Sequence, residues 1–273
     1  FSCIYYDGTE DTTCSSIIPL TKPNVYSWRN SRVSEFETNI MKMKNSGDQY
    51  GLSTTTDTHM IKNSEWGAVA YLSHSKYGTC TDGTCKEIGI NNNSSNETGC
   101  GAAAGSSSSN TCNAYNTATG MLASTTGNIY GVYDMSGGSY EYTMANIVSN
   151  DGSTMMSGSN SSVNSGYTGK TYESGSYTSY TGIDYPNNKY YDKYSFSASS
   201  STIRSKLGDG IKEVYKDLNG WYSDGSLIAD SYYPWFVRGG GDYSSSARAG
   251  AFYLGHDCGD ADSGTSSRLI ITP

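Results

Sequence analysis

Two carboxylates on either side of a glycine turn are the residues of this sequence that most clearly could do chemistry. Asp134 and Glu141 flank the turn Ser136–Gly138, inside the stretch GNIYGVYDMSGGSYEYTMANI. A turn that tight brings both side chains and the intervening carbonyl oxygens close together, and calcium is bound in proteins by such oxygen ligands. The pattern predicts an oxygen-rich cation pocket. A hairpin with two solvated acids is the alternative interpretation.

The remaining acids, histidines and hydroxyls do not form a recognisable catalytic set. The three histidines are scattered, and no serine stands in the nucleophile-elbow context of a Ser-His-Asp hydrolase. Three acids share the last polar loop, namely Asp257, Asp260 and Asp262. A glycosidase acid needs burial to raise its pKa, and a glycine-rich loop does not predict burial. We therefore expect no enzymatic activity.

Six of the seven cysteines form pairs that are close in sequence, each around a short polar loop with glycine. The pairs are Cys3/Cys14, Cys80/Cys85 and Cys100/Cys112. Zinc binding is the alternative, but no histidine lies beside a cysteine pair at ligand spacing. The prediction is three loop-closing disulfides in an oxidising compartment. The seventh, Cys258, is free, intermolecular or simply buried.

The composition excludes some classes of partner. The chain has 273 residues, a net charge of -8 and no run of Lys or Arg, which makes nucleic acid an unlikely partner class on charge grounds. It also has no apolar run as long as a membrane span, so we expect no membrane insertion by this chain, and an anchoring segment would have been removed or would lie upstream. Tyr, Ser, Gly and Asn dominate, with 25 Tyr and 32 Gly. This is the composition of antibody binding loops.

Two helices are predicted as scaffold. The first begins at Ser34, where Ser34 and Glu37 form a capping box, and ends near Gly47. Its inward positions at helical spacing are Phe36, Ile40 and Met43. The second begins near Asn63, with Asn63 as its cap, and ends near Lys76, before a glycine. Its inward positions are Trp66, Val69, Ala70 and Leu72.

In the second half of the chain, a segment of biased composition is followed by segments with strand-like patterns. Residues 148–200 have the composition of a disordered linker, but tyrosine recurs through them and gives the loops something to pack. We expect an ordered insertion within a single domain that spans residues 1–273. A small lobe that packs on neighbouring subunits is the alternative. Three strands are expected at 235–238, 249–254 and 268–272, joined by polar loops.

Three motifs, in order, carry a resemblance to a known family. DMSGGSYEY, from Asp134 to Tyr142, resembles the DMSGNVWEW signature of the formylglycine-generating, sulfatase-modifying-factor family. Residues 63–70 resemble its EAEWEYA helix, and residues 236–241, 251–252 and 267–270 resemble its RVLRGGSW…GFRLV ending. The resemblance implies an α+β, C-type lectin-like fold with two helices, short twisted antiparallel strands and long loops. It also implies that an N-terminal strand at residues 2–6 pairs with the C-terminal one.

The same resemblance implies a structural Ca²⁺ and argues against the family's oxidase activity. The implied calcium ligands are the Asp134 and Glu141 carboxylates and the Gly137 and Ser139 carbonyls; the alternative is that Glu141 pairs with an arginine and the turn holds no metal. The family's oxidases bind copper through a cysteine pair after the RGGSW motif. The matching positions here hold Ser244 and Ala249, so the thiolates that would hold a soft metal are missing.

Binding is therefore the predicted function. Some bacterial and phage members of this branch carry a diversified ligand-binding surface in the C-terminal cassette. By analogy, the expected ligand-binding residues are Tyr243, Ser244, Ser245, Arg248, Tyr253, His256, Asp257, Asp260 and Asp262. We expect a secreted adhesion module at a bacterial cell surface or phage particle that binds a host-cell or other surface protein or glycan. The alternative is a structural subunit of an extracellular filament or pilus-like assembly, with the insertion and Cys258 at subunit contacts.

Overall fold

The computed structural model describes residues 19–44, 50–150, 152–195, 208–211, 221–241 and 249–273, together with the backbone of three short elements at 3–4, 10–11 and 43–45. These residues form a mixed α+β structure. The helices are α1 (Val33–Lys42) and α2 (Asn63–Ser73). The strands are β1 (Cys3–Ile4), β2 (Glu10–Asp11), β3 (Asp57–Met60), β4 (Tyr140–Ile147), β5 (Met156–Gly158), β6 (Gly169–Glu173), β7 (Ser176–Tyr180), β8 (Asp192–Tyr194), β9 (Trp235–Gly239), β10 (Gly250–Asp257), β11 (Thr265–Ser267) and β12 (Leu269–Thr272).

The main sheet is organised around β4. Its order is β10-β9-β4-β11, and β8 also pairs with β4. Strand β9 runs antiparallel along one edge of β4, while β11 and β8 run parallel along the two halves of its other edge. Seven of the eight residues of β4 are buried, as expected for a strand that has neighbours on both edges. The motif that follows the glycine turn therefore forms the centre of the fold.

Helix α1 begins one residue earlier than predicted and is capped differently. Its N-cap residue is Arg32, whose backbone N–H donates to the Glu35 carboxylate at 2.7 Å. The predicted capping acid, Glu37, is buried and accepts a hydrogen bond from the backbone N–H of Met60 in β3. Tertiary contact with β3 thus overrides the local capping pattern. The predicted end at Gly47 lies outside the described residues.

Helix α2 starts at Asn63, close to the predicted start, but its N-cap is Lys62 and not Asn63 as predicted; the Lys62 N–H donates to Glu65 at 2.9 Å. It ends at Ser73, earlier than predicted, because the chain turns at His74. Trp66 and Ala70 are fully buried, whereas Leu72 is 47% exposed. The prediction of an inward Leu72 is wrong, since two residues beyond Ala70 is about 200° around a helix.

Two expectations about strand pairing are also wrong. Residues 129–135 form no strand, so the glycine turn is not a hairpin, and β4 takes its partners from distant parts of the chain. The C-terminal strand β12 pairs with β3, while β1 pairs with β2.

The three strands predicted in the C-terminal part of the chain overlap β9, β10 and β12. Strand β10 extends to Asp257, three residues past its predicted end.

Residues 152–195 pack against the main sheet. They contain the three-stranded sheet β5-β6-β7 and, near their end, β8, which pairs with β4. The rings of Tyr167 and Tyr185 stack at a centroid distance of 4.4 Å, and both lie against Trp235 of β9. Tyrosine supplies the packing surface that the composition of this segment otherwise lacks.

Neither helix in the described part of the chain has the length and apolar character that a membrane span needs.

Candidate functional site

The glycine turn at 136–138 is held between two distant parts of the chain. Gly137 and Gly138 have φ values of +73° and +69°, which glycine adopts without strain. The N–H of Gly137 donates to the Gly239 carbonyl at the end of β9, and the N–H of Gly138 donates to the Asn91 carbonyl. A Cβ on Gly137 would lie 2.3 Å from that Asn91 oxygen. The turn therefore requires glycine for both its conformation and its close packing.

The two flanking carboxylates have different kinds of partner. Glu141 forms a bidentate ion pair with Arg268, with oxygen–nitrogen distances of 2.7 and 3.0 Å. Asp134 accepts hydrogen bonds from the side-chain amide of Asn91 at 2.7 Å and from the N–H of Gly99 at 3.0 Å. Asp134 has φ +60°, a left-handed conformation that Asp tolerates better than most residues.

Burial raises the pKa of both carboxyl groups. The pKa of Glu141 is raised to about 7, although the field and the hydrogen bonds of Arg268 act to lower it. The pKa of Asp134 is raised by burial and lowered in part by Arg268, Asn91 and Gly99. Two acids and one arginine thus lie together where Glu141 is buried and Asp134 and Arg268 are half-buried, and electrostatic interactions there are stronger than in bulk solvent.

The four predicted calcium ligands lie on this one turn, and their oxygen chemistry suits calcium. Both carboxylate oxygens of Glu141, however, accept hydrogen bonds from Arg268. Coordination of Glu141 to a cation would require this ion pair to open. The arginine partner foreseen as the alternative is therefore present, and calcium at Asp134, Gly137, Ser139 and Glu141 stays a prediction.

A cleft of about 580 Å³ opens over these acids, and we call it the cleft. Its walls come mainly from residues 19–23 and 25–28, from Ile129 and residues 132–134, and from residues 266–270. Asp134, Ser139 and Glu141 are among the polar residues that line it, and most of the remaining lining is apolar or aromatic. Its volume falls within the usual range of small-ligand sites, which spans roughly 300–1,000 Å³.

Two tyrosines form a corner of the cleft. The rings of Tyr115 and Tyr133 are 6.0 Å apart between centroids and nearly perpendicular, with an interplanar angle of 88°. The hydroxyl of Tyr133 donates to the backbone carbonyl of Tyr115 at 2.9 Å, which fixes the corner. No sequence spacing pointed to this arrangement, because the two rings and the glycine turn come together only in the folded chain.

We call residues 257–264 the acidic loop; they comprise the last residue of β10 and the loop that follows it. The Tyr142 hydroxyl donates to the Asp257 carboxylate at 2.7 Å and contacts the Asp260 carbonyl at 3.1 Å. Asp262 accepts from the N–H of Gly264 at 2.7 Å and remains exposed. The N–H groups of residues 30 and 33 donate to loop carbonyls at Asp262 and Gly259. The loop is thus tied to both the main sheet and the start of α1.

The five predicted binding residues that the structure describes do not all lie together, and the full set of nine stays a prediction. Four of the nine, Tyr243, Ser244, Ser245 and Arg248, lie outside the described residues. Tyr253 lies in the middle of β10 and packs against Tyr140, whereas the acidic loop lies at the end of this strand. His256 is next to Asp257 in the strand and so points to the opposite face, where its ring stacks on Tyr233.

Within the acidic loop, burial raises several pKa values. The pKa of Asp260 is raised to about 6 by burial and by the nearby Asp257 charge. The pKa of Asp257 is raised by burial and lowered in part by the Tyr142 hydroxyl. Ligand atoms of Asp257, Cys258 and Asp260 lie within 4.8 Å of one another. The burial that the sequence did not predict is therefore present, because the loop folds back on Tyr142.

Two of the three predicted disulfides are confirmed. Cys80 bonds to Cys85 and Cys100 bonds to Cys112. The Cys3/Cys14 prediction lies outside the described residues, since Cys14 and the side chain of Cys3 are not described. Cys258 is a buried free cysteine, with its sulfur 3.3 Å from the Ser159 hydroxyl. The disulfides fit an oxidising, non-cytoplasmic compartment.

All three histidines have structural partners. His59 hydrogen-bonds the Glu65 carboxylate at 3.0 Å. His74 stacks on Trp221 and pairs with the Tyr222 hydroxyl. The Nδ1 atom of His256 pairs with the Ile228 carbonyl at 2.7 Å.

Comparison of the chain with protein-family models and with curated proteins finds no match.

Proposed function

We propose that this protein is a non-enzymatic extracellular recognition or adhesion module with a C-type lectin-like fold of the sulfatase-modifying-factor type. It acts at a bacterial cell surface or on a phage particle and binds a surface protein or glycan through its C-terminal loops. The observation that carries the proposal is the anchoring of the acidic loop. Tyr142 fixes its base, while Asp262 and Ser263 at its tip are exposed.

A loop held in this way suits recognition for an energetic reason. Ordering a flexible loop during binding costs free energy, and a loop that is already fixed in the free protein avoids most of that cost. Binding residues concentrate on loops that a rigid scaffold positions. The half-buried Asp260 and the exposed Asp262 place hydrogen-bond acceptors at this surface, which favours a polar partner such as a glycan or a protein.

The absence of enzymatic activity is part of the proposal. The histidines that could act as general bases are engaged with Glu65, with Tyr222 and with the Ile228 carbonyl. Asp257, which could act as a carboxylate catalyst, accepts from Tyr142 and from the N–H of Cys258. These contacts support the proposal, because each group already has a partner within the fold.

A pull-down against surface extract and a glycan panel tests the proposal. The loop variant replaces Tyr243, Ser244, Ser245, Arg248, Asp260 and Asp262 by Gly or Ser and keeps Asp257 and Cys258, which hold the loop base. A matched control replaces the exposed Asp82 by Ser, in the Cys80–Cys85 loop. Binding by the parent and the control but not by the loop variant, at equal melting temperatures, supports the proposal. Binding that persists in the loop variant contradicts it.

A filament subunit is the second candidate, and one observation favours it. Strand β7 lies at the end of the β5-β6-β7 sheet, and three of its five residues are exposed. Such an edge can pair with a strand of another chain. The buried position of Cys258 does not suit the subunit contact that this alternative assigns to it. Spontaneous filaments of the purified protein would favour this candidate, and a monodisperse monomer in gel filtration would disfavour it.

A further inference from the structure

The cleft combines three features that together point to a ligand. It has a volume of about 580 Å³, an aromatic corner formed by Tyr115 and Tyr133, and a carboxylate, Asp134, in its lining. In addition, Ser139 is a lining residue that is only 5% exposed, and its hydroxyl oxygen is buried. Among the described residues this oxygen has no hydrogen-bond partner.

The charge of Asp134 defines the kind of ligand. Its hydrogen bonds come from a neutral amide and a neutral peptide N–H, at Asn91 and Gly99. The Arg268 guanidinium forms its ion pair with Glu141 instead. Within the described part of the chain, no cation contacts Asp134. A positively charged ligand would complement this carboxylate.

The walls show that the cation would be organic. Perpendicular aromatic rings attract a cation placed over their faces within about 6 Å of a ring centroid. Leu20, Tyr26, Ile129 and Val132 line the same cleft and are each at least 36% exposed. These apolar side chains would cover a hydrocarbon stem. A hydrated metal ion makes no use of such walls, whereas an ammonium group on an aliphatic stem uses both the walls and the acid.

We propose that the cleft binds an organic ammonium group, which contacts the Asp134 carboxylate and the rings of Tyr115 and Tyr133, while its aliphatic stem lies along the apolar rim. The exposed Lys22 also lines the cleft and has interactions of its own. The inference goes beyond the proposed function, because it concerns a concave site that shares none of the predicted loop residues.

Titration calorimetry of the full chain in EDTA tests this inference. The cationic probes are choline and N-acetyl-lysinamide, and the neutral probes of matching shape are 3,3-dimethylbutan-1-ol and N-acetyl-norleucinamide. We expect a cation to bind about tenfold or more tightly than its neutral match. The stronger of the two cations distinguishes a quaternary headgroup from a primary amine. Equal binding by cation and neutral match, or binding by neither, overturns the inference.

Variants locate the site. Asp134→Asn removes the charge while keeping a residue that tolerates a left-handed backbone, and it should abolish the preference for cations. Tyr115→Leu should weaken cation binding by about tenfold, whereas Tyr115→Phe keeps the ring and should not. Tyr130→Ala is the control, since Tyr130 is 89% exposed and lies outside the cleft lining. Unchanged binding by both Asp134→Asn and Tyr115→Leu would place the ligand elsewhere.

Discussion

The cleft and the acidic loop both contain aspartates with hydrogen-bond partners, but the shapes around those residues differ. In the cleft, Asp134 lies in a concave surface with aromatic walls. In the acidic loop, Asp257 points inward to Tyr142, and Asp262 closes a turn at an exposed tip. The difference shows that the surroundings of an acid, more than its residue type, decide what it can bind. A concave aromatic site suits a small cation, and an exposed fixed loop suits a macromolecule.

The largest expected effect is the loss of the ion pair beneath the cleft. Glu141→Ala should lower the free energy of unfolding by about 3–5 kcal/mol, because it leaves the Arg268 guanidinium without its charged partner. Urea denaturation measures the effect. Asp262→Ala, at the exposed tip of the acidic loop, is the comparison and should cost less than about 1 kcal/mol. Similar losses for the two variants would contradict the contrast between the regions.

The second effect concerns the disulfide beside the cleft. Cys100 follows Gly99, whose N–H donates to Asp134, and Cys100 is fully buried. Replacing Cys100 and Cys112 by Ser should cost about 3 kcal/mol, because the bond closes a longer loop of the unfolded chain. The Cys80/Cys85 pair closes a shorter loop, and its replacement should cost about 2 kcal/mol. Thermal unfolding of both double variants checks this order, which equal costs would contradict.

The third effect tests the anchoring of the acidic loop. Tyr142→Phe removes the hydroxyl that donates to Asp257 and should lower the free energy of unfolding by about 1–2 kcal/mol. Hydrogen exchange at amides 258–264 should speed up, while exchange around Asp134 stays unchanged. Exchange in the loop that is no faster than in the parent protein would show that other contacts hold it.

The smallest effect is a pH dependence that arises in the acidic loop. The pKa of Asp260 is raised from 3.8 to about 6, so the folded state binds its proton more tightly than the unfolded state. Its destabilising contribution is absent below pH 4, grows as the pH rises, and is complete above about pH 6. Because Asp260 is only half-buried and solvent screens its charge, we discount the shift: Asp260→Asn should stabilise the protein by about 1 kcal/mol at neutral pH and have little effect at pH 4. Unfolding curves at both pH values measure the difference; an equal effect at both would contradict it.

The sequence predicted the local parts of this structure better than the distant ones. Helical spacing identified α2 close to its first residue, and short cysteine spacing identified two disulfides. The sequence pattern did not identify the partner of Glu37, whose carboxylate accepts a hydrogen bond from the Met60 N–H and does not cap α1. Local patterns report contacts between sequence neighbours, and they carry no information about a partner 23 positions away.

The candidate sites show the same limit. Asp134 and Glu141 were singled out by their turn, but the aromatic corner of the cleft was not, because Tyr115 and Tyr133 meet only after folding. The loop aspartates were predicted as one binding set with His256. Strand alternation instead places His256 on the face opposite to Asp257, and this follows only once β10 is known to extend to residue 257.

The most direct test of this account is one binding assay on surface extract that compares the C-terminal loop variant with Asp134→Asn. If the two regions serve different ligands, the loop variant loses the surface partner and keeps choline or lysinamide binding. Asp134→Asn then shows the reverse pattern. Loss of the surface partner in Asp134→Asn, with binding retained in the loop variant, would contradict the account and assign recognition to the cleft.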